Sequence, residues 1–205
     1  MFITLFYAYL ITNITQGKLL INLCFYTLII IIFPLSLKES LDLLPKMGLS
    51  ILWIGVILAS IFSLENLLQK DYEDGNLELI YLTPVPLEII IFFKTIIHWI
   101  TYGFPLILMM PLLSFFINIE LNNIIYIHFL INSSILSFLG IICASITLGI
   151  KSRAFLLSII TFPFYIPSII LNGYLEQSYI IIGLWFIIGS LSPIISTIAL
   201  KFNFE

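Results

Sequence analysis

Residues 124–150, IIYIHFLINSSILSFLGIICASITLGI, contain no Asp, Glu, Lys or Arg. At about 1.5 Å of rise per residue, a helix of this length covers the roughly 30 Å hydrocarbon core of a bilayer. Five more stretches read the same way: 19–37, 47–64, 89–117, 154–175 and 179–200. The whole chain agrees, since 61% of its 205 residues are hydrophobic and 9% are charged, against roughly 25% charged in a soluble domain. The expectation is an all-α polytopic membrane protein with six transmembrane helices in a single domain, 1–205.

Around the spans, polar residues set the boundaries. Residues 1–17 are apolar at first, but Thr12, Asn13, Thr15 and Gln16 crowd their second half, so this segment is expected to lie on the membrane as an interfacial helix. It lacks a basic leader and a small-residue cleavage site, and so reads as an uncleaved start. Lys18, Lys70, Lys94, Lys151, Arg153 and Lys201 fall on one side, against Lys38 and Lys46 on the other. By the positive-inside rule both termini are cytoplasmic.

Helix breakers recur within the spans: Gly103 with Pro105, then Pro111, in the third; Pro163 and Pro167 in the fifth; Pro193 in the sixth. Each frees a backbone carbonyl that a neighbour must satisfy, and each reads as a shaping kink or as a hinge. The third span is longer than a crossing needs and contains Lys94 and His98, so its inner end is expected to run along the interface. Cys24 and Cys143 sit in apolar runs, where a disulfide or metal pair is not expected.

The informative polar segment is 65–88. It holds Glu65, Asp71, Glu73, Asp74, Glu78 and Glu88 against Lys70 alone, a net charge of −5 in a chain of −3. Leu64, Leu67 and Leu68, then Leu77 and Leu79, recur at near-helical spacing on either side of Asp74-Gly75. This pattern predicts two short amphipathic helices joined by a tight turn, with Gly75 supplying φ > 0. Such a unit suits docking into another protein; the alternative is a solvated acidic loop.

Chemistry of its own is not legible. The only Gly-Lys is Gly17-Lys18, followed by Leu19 and with Thr12 where the first glycine of a phosphate loop belongs. No C-x-x-C, H-E-x-x-H or G-x-S-x-G occurs, and no acid lies inside a span to pair with a base. Dispersed basic residues and a net charge of −3 do not suit nucleic acid. No catalytic residue and no bound metal are expected. His98 is the sharpest single residue. If the span enters lipid at Lys94, His98 lies about 6 Å deep, beside Trp99, and serves either as a hydrogen-bonding residue or as a substrate contact, imidazole being an axial ligand for haem iron. His128, near the outer end of the fourth span, reads as an interfacial histidine. Trp53, Tyr102 and Trp185 read as belt or packing residues.

Leu64-x-x-Leu67-Leu68-x-x-Asp71-x-x-Asp74-Gly75-x-Leu77-Glu78 is followed by Pro84-x-Pro86-Leu87, Lys94, His98-Trp99, Gly103-x-Pro105-Leu106 and Pro111-Leu112-Leu113. Together with Phe33-Pro34-Leu35-Ser36, Thr147-x-Gly149, Leu156-Leu157-Ser158, Pro163, Ile166-Pro167 and Leu191-Ser192-Pro193, this pattern resembles the CcmB family over essentially the whole chain. CcmB proteins are permeases of the haem exporter ABC system of cytochrome c maturation. The chain departs from the family pattern at Lys151-Ser152-Arg153-Ala154 and at Asn132-Ser133-Ser134, and its first segment carries only Lys18 as a basic residue.

The resemblance implies an ABC-2-like permease bundle that dimerises and pairs with two copies of a separate soluble ATPase. It also implies association with other maturation membrane subunits and a haem chaperone, in a bacterial inner membrane or, if organelle-encoded, a mitochondrial one. Leu67, Leu68, Asp71, Asp74, Gly75, Leu77 and Glu78 are then expected to couple to the ATPase. His98, Trp99, Gly103 and Pro105 are the intramembrane candidates, with haem as cargo and no cofactor of the chain's own. Three functions remain open: outward conduction of haem, conduction of another small hydrophobic molecule, or a non-conducting role that transmits ATPase strokes to release a loaded chaperone. An unrelated intramembrane enzyme or channel is disfavoured by the missing catalytic pairs.

Overall fold

A computed structural model describes residues 17–36, 44–65, 67–150, 152–172 and 178–204, and in them every regular element is a helix. In chain order these are α1 (Lys18–Ser36), α2 (Leu44–Leu64), α3 (Gln69–Glu73), α4 (Asn76–Tyr81) and α5 (Leu87–His98). A π-helical turn (Trp99–Gly103) joins α5 to α6 (Phe104–Ile117), and α7 (Asn123–Ile146), α8 (Arg153–Asn172) and α9 (Ser178–Phe204) follow. Six helical units are long and apolar enough to cross a membrane, which makes the chain an all-α polytopic membrane protein. The expected interfacial helix and most of the 38–46 loop lie outside the described residues.

Boundaries follow local chemistry. Asn118 takes the left-handed conformation, φ 57°, and ends α6. Asn122 then caps α7, its side-chain oxygen accepting the Ile125 N–H at 2.9 Å. The fourth span stops at Ile146 rather than at 150, because the chain turns there and Gly149 adopts φ 77°. The second begins at Leu44 rather than 47, and the sixth runs on to Phe204.

The break in the third span takes a specific form. The Phe104 N–H bonds to the Trp99 carbonyl, five residues back rather than four, so the helix holds one wide turn. Pro105 explains it: proline has no N–H to offer the Thr101 carbonyl and its ring crowds that oxygen in a regular helix. Gly103 supplies the room, since a Cβ there would lie 2.7 Å from Trp99 Cδ1.

α7 is the centre of the bundle and α2 the next most enclosed, whereas α1, α8 and α9 are mostly exposed. The exposed residues are those lipid accommodates: Phe115, Phe155, Phe186 and Phe202 all point outward. Lipid removes the hydrophobic drive between helices, so close approach and hydrogen bonds must supply the cohesion. Gly55 receives the Tyr26 ring, where an added Cβ would be 2.8 Å away, and Gly140 receives Leu64, at 2.3 Å. Trp53 packs edge-on to Phe129 at 4.9 Å, as a core residue.

Candidate functional site

Two regions collect the polar side chains. The first is the segment between α2 and α5, at one end of the bundle. α3 and α4 are the two short helices expected, joined through Gly75 at φ 69°. Three leucines of the segment turn inward: Leu67, Leu68 and Leu77 are buried in the main hydrophobic core. Asp71 turns inward too. The Lys94 ammonium of α5 donates to its carboxylate, and both side chains are largely buried. A base in the third span thus has an acidic partner reaching it from the segment, and Leu67, Leu68, Asp71 and Leu77, among the residues expected to couple to an ATPase, face the chain's own interior. Apolar side chains on a helix lying flat against the bundle bury themselves, and an ammonium near lipid needs a counter-ion.

A second hold comes from α8. The Arg153 guanidinium donates to Gln69 Oε1 and, at 3.2 Å, to the Ala144 carbonyl at the end of α7. Gln69 in turn donates to Glu73 Oε1 at 2.6 Å. The Tyr72 hydroxyl rests on the α7–α8 turn, where a Cβ at Gly149 would lie 3.2 Å from it. Left facing outward are Asp74 and Glu78 with an apolar ridge: Leu79 is 64% exposed and Leu82 79%, with Tyr81 beside them. Leu79 was legible as a member of the pattern; Leu82 and Tyr81 were not, because they follow the last acidic residue before the Thr83-Pro84 turn.

The second region lies inside the bundle around His98. Its imidazole is 3% exposed and hydrogen-bonded at both nitrogens, Nε2 with Ser63 Oγ of α2 at 2.9 Å and Nδ1 with Ser137 Oγ of α7 at 3.2 Å. Tyr102 leans on the same ring, centroids 5.1 Å apart. Trp99 Nε1 donates to Ser133 Oγ at 2.9 Å, Trp185 Nε1 to Ser134 Oγ at 2.7 Å, and the Ser168 hydroxyl to Asn132 Oδ1 at 3.2 Å. The Asn132-Ser133-Ser134 departure is therefore where three other helical units attach to α7. Tyr165 adds a bond to the Leu136 carbonyl at 2.9 Å and one shared with Ser60 at 3.1 Å.

A cavity of about 10 Å³ lies among Ser60, Ser63, His98, Tyr102, Ser133 and Ser137. That is the room one water needs; small-molecule pockets run to roughly 300–1,000 Å³. In this conformation the described bundle offers His98 no space for a porphyrin. Among the described residues no cluster of His, Cys, Asp and Glu is placed to hold a metal ion. His128, near the start of α7, is buried within the bundle, and its carbonyl accepts from Asn132 Nδ2 at 3.1 Å. Gly103 and Pro105 act on the backbone, at the π-helical turn.

Comparison with known proteins points one way. The family model described as CcmB protein matches residues 2–191. Heme exporter protein B of Pseudomonas aeruginosa is 34% identical over 159 residues, covering 76% of this chain and 71% of that protein. The protein of the same name from Rhodobacter capsulatus is 30% identical over 159 residues, 77% of this chain and 73% of its own length. That of Escherichia coli K12 is 31% identical over 150 residues, 72% and 68% respectively.

Proposed function

We propose a function from one premise: this chain belongs to the CcmB protein family. It is a membrane permease subunit of a haem exporter, serving cytochrome c maturation, and it works within a complex with other maturation proteins. The finer reading is that ATP is hydrolysed on a separate soluble ATPase, present in two copies, while two copies of this ABC-2-like chain form the membrane part in a bacterial inner membrane with both termini inside. A single observation supports its coupling part. The segment 67–82 buries its leucines and Asp71 against its own bundle while presenting Asp74, Glu78, Leu79 and Leu82 outward.

A basic groove on the ATPase would meet that face, and truncating one side of a desolvated charge pair costs about 2–5 kcal/mol. Asp74→Lys is therefore expected to remove the ATPase from the purified complex while membrane insertion stays normal. Gly75→Val should act alike through the backbone: no atom lies within 4 Å of an added Cβ, but φ 69° costs a side chain about 1–2 kcal/mol. Normal association in both variants places the docking surface elsewhere. Reporters at Glu205 and in 65–88 are expected inside, and one in 38–46 outside.

A non-conducting role is the second reading, supported by the tight packing at His98, where the cavity measures about 10 Å³. His98 then acts as a tether between α2, α5 and α7, and haem, where it is cargo, passes by another route. Haem flux into sealed vesicles containing the complex is the deciding measurement; flux abolished by Asp74→Lys supports conduction.

A further inference from the structure

The segment's exposed face says where a partner pushes; its buried side says where the push goes. We propose that the Lys94–Asp71 ion pair carries movement of the segment into the third span, and that the π-helical turn Trp99–Gly103 is where that span yields. The inference rests on the coupling function proposed above and names the positioning residue within it.

The geometry runs in one line. Asp71 belongs to α3, and its partner Lys94 lies one helical turn before His98 on α5. The leucines that seat the segment are apolar and their contact is non-directional, so they permit sliding. The ion pair resists it, because drawing two opposite charges apart in a poorly hydrated place loses their attraction. Immediately beyond His98 the regular bonding stops and Phe104 N–H reaches back five residues. A wide turn of this kind accommodates one residue more than a regular turn and recurs at functional positions in helices. Rotation of α5 can therefore be absorbed there while α6, packed on α1 and α2, stays in place.

The alternative route, Arg153 to α8, has no such break at hand: α8 is regular up to Pro163. Movement of α5 also reaches the interior, because His98 holds Ser63 and Ser137 and Trp99 holds Ser133.

Trp99 is the built-in reporter. With Trp53→Phe and Trp185→Phe as background, the only tryptophan left in this chain is the one in the π-helical turn, and the Trp99→Phe complex supplies the partner's emission to be subtracted. The reconstituted complex with its ATPase subunit is expected to change Trp99 emission when ATP is added. Lys94→Asp alone and Asp71→Lys alone should keep the ATPase subunit bound, since the outward face is intact, and lose the ATP-dependent signal. The swap Asp71→Lys with Lys94→Asp should restore it. Single variants of a buried pair can misfold, so the neutral pair Asp71→Asn with Lys94→Met tests the same link without an orphaned charge and should also lose the signal. Trp99 emission that ignores ATP in the background protein, or that responds in the neutral pair as it does in the background, overturns the inference. A background complex that binds no ATPase subunit fails at the earlier step and removes the coupling function itself.

Discussion

The segment 67–82 and the surroundings of His98 both gather polar side chains and treat them in opposite ways. Around His98 the imidazole, both indoles and the serines of α7 are satisfied within the bundle, and the space left is about 10 Å³. In the segment, Leu67, Leu68, Asp71 and Leu77 are consumed inward, and Asp74, Glu78, Leu79 and Leu82 are offered outward. A closed polar network fixes which helices touch; an open one leaves affinity for something else. The difference places recognition at the end of the bundle and cohesion in its middle.

The contrast is tested most severely at its junction. Lys94→Met by itself takes the ammonium from the Asp71 carboxylate, and breaking one side of a buried pair costs about 3–5 kcal/mol. Thermal unfolding of the detergent-solubilised protein should fall by the largest margin of any variant considered, and adding Asp71→Asn should recover most of the loss. A single variant as stable as wild type would show the pair to be solvated and the segment to be loosely seated.

Smaller by expectation is His98→Ala. Interhelical hydrogen bonds in membranes contribute about 0.6–2 kcal/mol, so unfolding should shift modestly, and any haem absorbance of the complex should persist. Haem absorbance that disappears with His98→Ala while the melting profile stays unchanged would reverse the assignment and make the middle of the bundle a recognition site after all.

How far the sequence disclosed these two regions depends on the kind of signal each leaves. Six spans were legible because hydrophobic length is a property of the string itself, and the turn at Gly75 because glycine after aspartate between two leucine patterns has few other readings. The inward turn of Asp71 is not legible in the sequence, because its partner is 23 positions away and the five residues of α3 are too few to define a face. Ser60, Ser63 and Ser137 are not legible, and Ser133 only as part of a departure from the family pattern, since serine inside an apolar run carries no charge or periodicity strong enough to stand out. Their spacing of three and four residues, on α2 and on α7, is the trace that was available. The π-helical turn was visible only as Gly103 and Pro105, which announce a break and not its form.

The smallest effect on stability is expected from Leu79→Asp and Leu82→Asp, and they sharpen the comparison most. Both side chains are well exposed, at 64% and 79%, and surface substitutions away from special features usually stay within about 0.5 kcal/mol. The bundle should therefore melt as wild type does. If the ridge is the apolar part of the docking face, the ATPase subunit should nevertheless be lost on purification, because an aspartate brought against an apolar groove must be desolvated without a partner. The same two leucines could instead rest in the headgroup region, since the segment lies at the end of a membrane bundle. In that case the ATPase stays bound and the variants loosen only the segment, which limited proteolysis between residues 75 and 86 would register. Retained ATPase with accelerated cleavage thus assigns the ridge to lipid and leaves Asp74 and Glu78 as the docking face, whereas lost ATPase with unchanged cleavage assigns ridge and acids to one surface.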